Sequence, residues 1–241
     1  MEWFEIWFDT PYYHLLYNNR DRREAEEFIK KLIYVLKLPP KAKIVDLACG
    51  RGRHSVFLHS LGYEVLGLDL SLQSILHNKK YEKQALRFRV HDIRDALPEK
   101  DIEAVFSLFT SFGYFGSEEE DIKVFSSVYN GLKPQGIFVL DFLNRGFVEN
   151  NFKPHSVVKR GEIIFDITRK IEKDHVIKKI EFSDRGQNFS FVERVRLHSS
   201  EDILKYAQRT NFERLQIWGD YRLGSFDPQI SPRCISLFRK K

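Results

Sequence analysis

Three acids stand where a bound nucleotide would need them. Asp46 leads into a glycine turn, Cys49-Gly50-Arg51-Gly52, and Asp69 and Asp92 each close a short apolar run further along. Glycine lets a backbone approach a ligand closely, and the amides that open a following helix favour a carboxylate or phosphate. Asp69 stands 17 residues after Gly52, the usual distance for an acid that grips ribose hydroxyls. Asp92 offers an acceptor to an exocyclic amine. A tight connection without a ligand would explain the glycines alone, but not an acid at the end of each of three neighbouring segments.

The turn also narrows the ligand. A dinucleotide fingerprint places a third glycine at residue 55, where Ser55 stands, and no Gly-Lys-Ser/Thr sequence exists to cradle a triphosphate. Asp46 would repel a phosphate, yet it suits the ammonium of a methionine moiety, directly or through water.

These residues need elements that bring them to one edge. Ala25, Phe28, Ile29, Leu32, Ile33 and Leu36 recur at helical spacing, and Pro39-Pro40 ends that helix. Short apolar runs at Ile44–Leu47, Glu64–Leu68, Arg87–Val90, Ala104–Leu108 and Ile137–Leu140 read as strands. Between them lie helices opened by the glycine turn, by Ser71 and by Ser117 with its three glutamates. Strands alternating with helices at this rhythm predict βαβ units and a mostly parallel seven-stranded sheet covered on both faces. Later runs around Ile163–Ile167, Val176–Phe182 and Phe189–Leu197 alternate apolar and polar residues and predict an antiparallel insertion after strand five. Ser199 with Asp202 predicts a capping box, and two closing strands follow at Phe212–Trp218 and Cys234–Phe238. One domain is expected over residues 1–241: an N-terminal cap (1–40), a ligand-binding core (41–146), the insertion (147–198), and a closing helix with strands (199–241).

Asp46-Leu-Ala-Cys-Gly-Arg-Gly52 resembles motif I of the class I S-adenosylmethionine-dependent methyltransferases. Leu66-Gly-Leu-Asp69-Leu-Ser resembles their second motif, His91-Asp92-Ile93 their third, and Leu132-Lys-Pro-Gln-Gly136 the turn before strand five. The resemblance implies a Rossmann-like fold and S-adenosyl-L-methionine as cofactor. Carried over by residue, it implies that Ala48, Cys49, Gly50 and Gly52 pass under the methionine end, with Asp46 before them and Leu108 nearby. Asp69 would bind the ribose, Leu70 would pack on the adenine, and Asp92 with Ile93 would recognise its edge. The lead Tyr12-Tyr-His-Leu-Leu-Tyr17, with Arg20-Asp-Arg-Arg23, resembles that of small-molecule N-methyltransferases. It implies cofactor contacts from Tyr17 and from Arg23, whose guanidinium can hold a carboxylate with two hydrogen bonds.

Methyl transfer is an in-line displacement, so alignment matters more than acid–base groups, and a base is needed only for a protonated nucleophile. Neither a catalytic triad nor a metal-ligating set is expected. Tyr13, His14, Tyr114 and Tyr221 are the candidates for orienting or deprotonating an acceptor. Tyr13, Phe109, Thr110, Phe112, Tyr114 and Arg222 are the candidate substrate wall. The loop Phe109 to Tyr114 lacks the Asn/Asp-Pro-Pro-aromatic signature used on nucleobase or glutamine amides.

Lysine and arginine outnumber acids 39 to 34, but they are scattered among acids and read as a solvated surface rather than a polynucleotide groove. No apolar run approaches a membrane span. Cys49 and Cys234 lie far apart and form no disulfide framework, so a reducing cytoplasm is expected. The leading expectation is methylation of nitrogen or oxygen on a small molecule. The alternatives are an RNA or protein methyltransferase, a non-catalytic cofactor-binding module and, against the missing glycine, a nicotinamide oxidoreductase. Acceptor and oligomeric state stay open.

Overall fold

In the computed structural model, residues 2–17 and 22–241 are described. Two short helices, α1 (Trp3–Trp7) and α2 (Pro11–Leu16), precede the longer α3 (Arg22–Leu36). Then come β1 (Lys43–Leu47), α4 (Arg53–Ser60), β2 (Glu64–Asp69), α5 (Leu72–Asn78), β3 (Leu86–Val90), β4 (Ile102–Ser107), α6 (Glu118–Gly131) and β5 (Leu132–Leu143). These βα units build the parallel part of a seven-stranded sheet ordered β10-β11-β5-β4-β1-β2-β3. Its far edge is antiparallel, formed by β10 (Phe212–Trp218) and β11 (Arg233–Lys240), with β11 against β5. The fold is the Rossmann-like arrangement of class I methyltransferases.

Burial follows from the strand composition. β1 is buried along four of its five residues, as a strand covered on both faces must be. One face packs under α6 and α8 (Ser200–Arg209) through Phe125, Phe138, Tyr206 and Phe238. The other packs under α3 and α4 through Phe28, Ile29, Leu58 and Phe106. The caps form as expected: Ser71 accepts from the Ser74 amide, Ser117 from Glu120, and Ser199 with Asp202 forms the capping box.

After β5, the short helix α7 (Arg145–Asn150) leads into a separate antiparallel sheet of β6 (His155–Arg160), β7 (Ile163–Glu172), β8 (His175–Asp184) and β9 (Gln187–Arg196). Sequence patterning predicted the last three of these strands but neither α7 nor β6. β6 is a six-residue edge strand whose Val157 is exposed, so it has little alternation of its own and depends on β7 for pairing. One face of this sheet, including Phe165, Ile180 and Phe182, packs against Trp7, Tyr12 and Leu16 of the N-terminal lead.

Candidate active site

The carboxyl ends of β1 to β4 open into one cavity of about 300 Å³. It sits beside the point where the strand order reverses, between β1 and β4, where open α/β sheets bind ligands. β1 runs into the glycine turn with Ala48, Gly50 and Gly52 at φ 60°, 53° and 72°. The Gly50 amide donates to Asp69 Oδ2 at 2.7 Å and the Ser71 amide to Oδ1 at 2.9 Å, so the carboxylate at the end of β2 pins the turn. From the opposite side Asn78 Nδ2 donates to the Gly50 carbonyl at 2.7 Å. Burial raises the Asp69 carboxyl above its ordinary range, although both amides oppose the shift.

Asp92 lines the same cavity beyond β3. Arg94 holds it with its backbone amide at 2.9 Å and its Nη2 at 2.7 Å, and reaches Glu120 Oε1 at 2.7 Å from the other end of the guanidinium. Burial alone would raise Asp92, but the hydrogen bonds and charge of Arg94 bring it below the usual carboxylate range.

The N-terminal lead closes the cavity. α1 contributes Phe4, with Phe8 directly after it, and α2 contributes Tyr13 and His14, with Tyr17 after it. Asp9 accepts from Ser71 Oγ at 2.6 Å and the Gln73 amide at 2.9 Å, which ties the lead to the start of α5 beside Asp69. Glu193 of β9 accepts from Trp7 Nε1 at 2.8 Å and Tyr17 Oη at 2.6 Å, and pairs with Lys178 at 3.2 Å. Burial first, then the Arg51 charge, pushes His14 down to about 4.

Of the residues expected at the cofactor, Tyr17, Ala48, Cys49, Gly50, Asp69, Leu70, Asp92, Ile93 and Leu108 line the cavity. Tyr13, His14, Phe109 and Tyr114, candidates expected at the acceptor, line it as well. The other expected residues stand elsewhere. Asp46 is buried behind the turn, where it accepts from Ser55 Oγ at 2.6 Å. Gly52 serves packing: a Cβ there would meet the Phe88 ring at 2.9 Å. Arg23 is exposed on α3, outside the cavity wall, and Arg20 lies outside the described residues. Phe112 is wholly buried against Phe125, Phe142 and His198, so it is a core residue and not part of a substrate wall. Thr110 turns its hydroxyl to Arg233, and Tyr221 packs on Phe28 and Phe109 behind the wall. Arg222 lies at a shallow surface groove with Lys30, Lys31 and Tyr34, away from the cavity.

Sequence reasoning missed Phe4, Phe8, Arg51, Arg53, His54, Ser74 and Phe115 on the wall. Arg53 and His54 were legible in principle, because they open α4 directly after the turn. Among the described residues no cluster of histidine, cysteine and acid side chains could hold a metal ion. Nor is any described helix long and apolar enough to cross a membrane.

The geometry suits S-adenosylmethionine. Asp69 and Asp92 present carboxylates at neighbouring strand ends, and the space a Gly50 Cβ would occupy is free of other atoms within 4 Å. Comparisons with known proteins agree. Residues 44–136 match the family model of a methyltransferase domain. A glycine/sarcosine N-methyltransferase of Parasynechococcus marenigrum (strain WH8102) is 31% identical over 89% of this chain and 77% of its own. A Bacillus subtilis (strain 168) protein named "Putative methyltransferase YqeM" is 30% identical over 64% of this chain. A dTDP-3-amino-3,4,6-trideoxy-alpha-D-glucopyranose N,N-dimethyltransferase of Streptomyces venezuelae is also 30% identical, over 54% of this chain. The chain spans about half the length of these last two, 54% in each case. The crystal structure of a methyltransferase from Clostridium acetobutylicum ATCC 824 superposes with a TM-score of 0.80, covering 95% of both chains at 21% identity, a likeness of fold.

Proposed function

The chain belongs to the class I S-adenosylmethionine-dependent methyltransferases, and from that premise we propose that it methylates an amine nitrogen on a small molecule. The observation that carries this reading is a single cavity lined both by the strand-end acids Asp69 and Asp92 and by the rings of Phe8, Tyr13, Tyr17, Phe109 and Tyr114. When bound, S-adenosylmethionine supplies a methyl group made electrophilic by a positive sulfur. Asp69 would hold the ribose hydroxyls, Leu70 would pack on the adenine, and Asp92 with Ile93 would recognise its edge. The rings would limit water around the reacting atoms and offer π surfaces to an amine, which favours nitrogen acceptors. His14, pushed to about 4, is neutral at pH 7 and a weak base, so no proton abstraction from the acceptor is assigned to it. The printed activities of two relatives, on glycine or sarcosine and on an amino sugar, support nitrogen as the acceptor atom. We place the protein in the cytoplasm on its two free, buried cysteines.

The test supplies methyl-labelled cofactor with glycine, sarcosine, a nucleotide-linked amino sugar, total RNA and a protein extract. Label in an amine-bearing small molecule is expected. Label confined to RNA or protein would overturn the acceptor class, and absence of S-adenosylhomocysteine binding by calorimetry would overturn the cofactor as well.

A further inference from the structure

The loop that follows β4 is bent unusually at two successive residues. Phe109 and Thr110 both adopt the left-handed conformation, at φ 62° and 64°, and neither is glycine. Such a pair is strained and persists only where its surroundings hold it. Here a buried ion pair holds it from behind. Asp141, near the end of β5, is fully buried and pairs with Arg233 of β11 at 2.7 Å. Asp141 Oδ2 accepts from the Phe109 amide at 2.8 Å, and the Asp141 carbonyl accepts from the Thr110 amide at 3.1 Å. Arg233 Nη2 donates to Thr110 Oγ1 at 2.8 Å, and Tyr221 Oη donates to Asp141 at 3.2 Å. The pair therefore contacts both residues of the bend, Phe109 at its amide and Thr110 at its amide and its hydroxyl.

The bend has a consequence in the cavity. It lays the Phe109 ring between Tyr221, at 4.8 Å, and His54, at 5.0 Å, both in stacked geometry. The Arg53 guanidinium lies over the same ring, 4.7 Å from its centroid. Arg53, His54 and Phe109 all line the cavity beside the Ala48–Gly50 turn, where the methionine end of the cofactor falls.

We propose that Asp141 and Arg233 are positioning residues for cofactor binding: they hold Phe109 and Thr110 left-handed and so set Phe109 as the platform on which Arg53 lies in the cavity. Neither residue touches the cavity itself. The assignment rests on the reading that this cavity binds S-adenosylmethionine, and wild-type binding of S-adenosylhomocysteine by calorimetry tests that reading separately.

Two sets of variants test the positioning role, each measured by S-adenosylhomocysteine affinity together with melting temperature. Asp141→Leu with Arg233→Met replaces the pair by apolar side chains of similar size, a change that buried ion pairs often tolerate without loss of stability. It should keep a cooperative melt and weaken binding at least fivefold. Adding Thr110→Gly, which adopts the bend freely, should restore much of the loss. The second set leaves the ion pair in place. Thr110→Val and Thr110→Gly both lose the Arg233 hydrogen bond, but only valine resists the left-handed bend, so valine should weaken binding at least fivefold more than glycine. Wild-type affinity in a folded Asp141→Leu/Arg233→Met protein overturns the proposal, as does a loss that glycine at 110 fails to rescue. If that protein does not fold, equal affinities for the valine and glycine variants overturn it instead.

Discussion

At the scale of single residues, the two glycines of the turn have separate tasks. Both sit at positive φ, which costs a residue with a Cβ roughly 1–2 kcal/mol. Gly52→Ala adds contacts of 2.9 Å with Phe88 and 3.1 Å with Asn78, so it is expected to lower the melting temperature by far more than Gly50→Ala. Gly50→Ala meets no such contact and should act mainly on the cavity, weakening S-adenosylhomocysteine binding while the fold survives. Asp46 shows the opposite tension. Burial first, and then Asp69, raises its carboxyl from 3.8 to about 6, against the hydrogen bonds from Ser55. The folded state thus holds its proton more tightly than the unfolded chain, and the stability from this group is complete below about pH 4 and lost as pH rises through 6. That shift corresponds to about 3 kcal/mol at neutral pH. Asp46→Asn keeps an acceptor for Ser55 Oγ and should melt higher than wild type at pH 7.5, with the gap closing by pH 4. Equal melting temperatures at both pH values would argue against the shift. The acids at residues 69 and 92 were legible because each ends a strand, and the structure puts both on the cavity wall. Arg94, which holds Asp92 in place, left no signal beyond its proximity.

Among elements, the informative joint is the one between the N-terminal lead and the second sheet. Trp7 and Tyr17 of the lead share the Glu193 carboxylate of β9 with Lys178 of β8, and the side chains of Lys178 and Glu193 are each only 13% exposed. Glu193→Ala removes the charge that balances Lys178 and should cost about 3 kcal/mol in urea denaturation. Lys178→Met/Glu193→Leu should recover most of that loss, because no buried charge is then left without its counterpart. An unchanged midpoint for Glu193→Ala would show that the lead is held by its aromatic packing alone. Periodicity revealed α3, β1 to β5 and the last three strands of the second sheet, since each carries a buried face of its own. It could not reveal β6, whose burial alternates only between intermediate and exposed and whose order comes from its partner strand.

Taken as a whole, the molecule binds its ligand between parts that are distant in the chain, so binding should stabilise all of them together. At a hundredfold excess over Kd, S-adenosylhomocysteine is expected to add about 2.7 kcal/mol. For a chain of this size that raises the melting temperature by roughly 5–10 °C in a thermal scan, and NAD at the same concentration should raise it by less than a degree. A shift with NAD alone would return the glycine turn to a dinucleotide reading. The positive charge finds partners on the surface: Arg87 pairs with Glu64 and Glu99, Lys133 with Glu103, and Lys205 and Arg209 with Glu118. By itself the sequence determined the βα rhythm, the glycine turn and the acids at the strand ends, because hydrophobic period and backbone freedom are local properties. Only the tertiary structure decided that Phe112 belongs to the core, that Arg222 lies away from the site, and that Asp141 and Arg233 stand behind Phe109. Each of those outcomes depends on which faces meet across the sheet, and residues 92 positions apart in the chain share no local pattern by which their contact could be read.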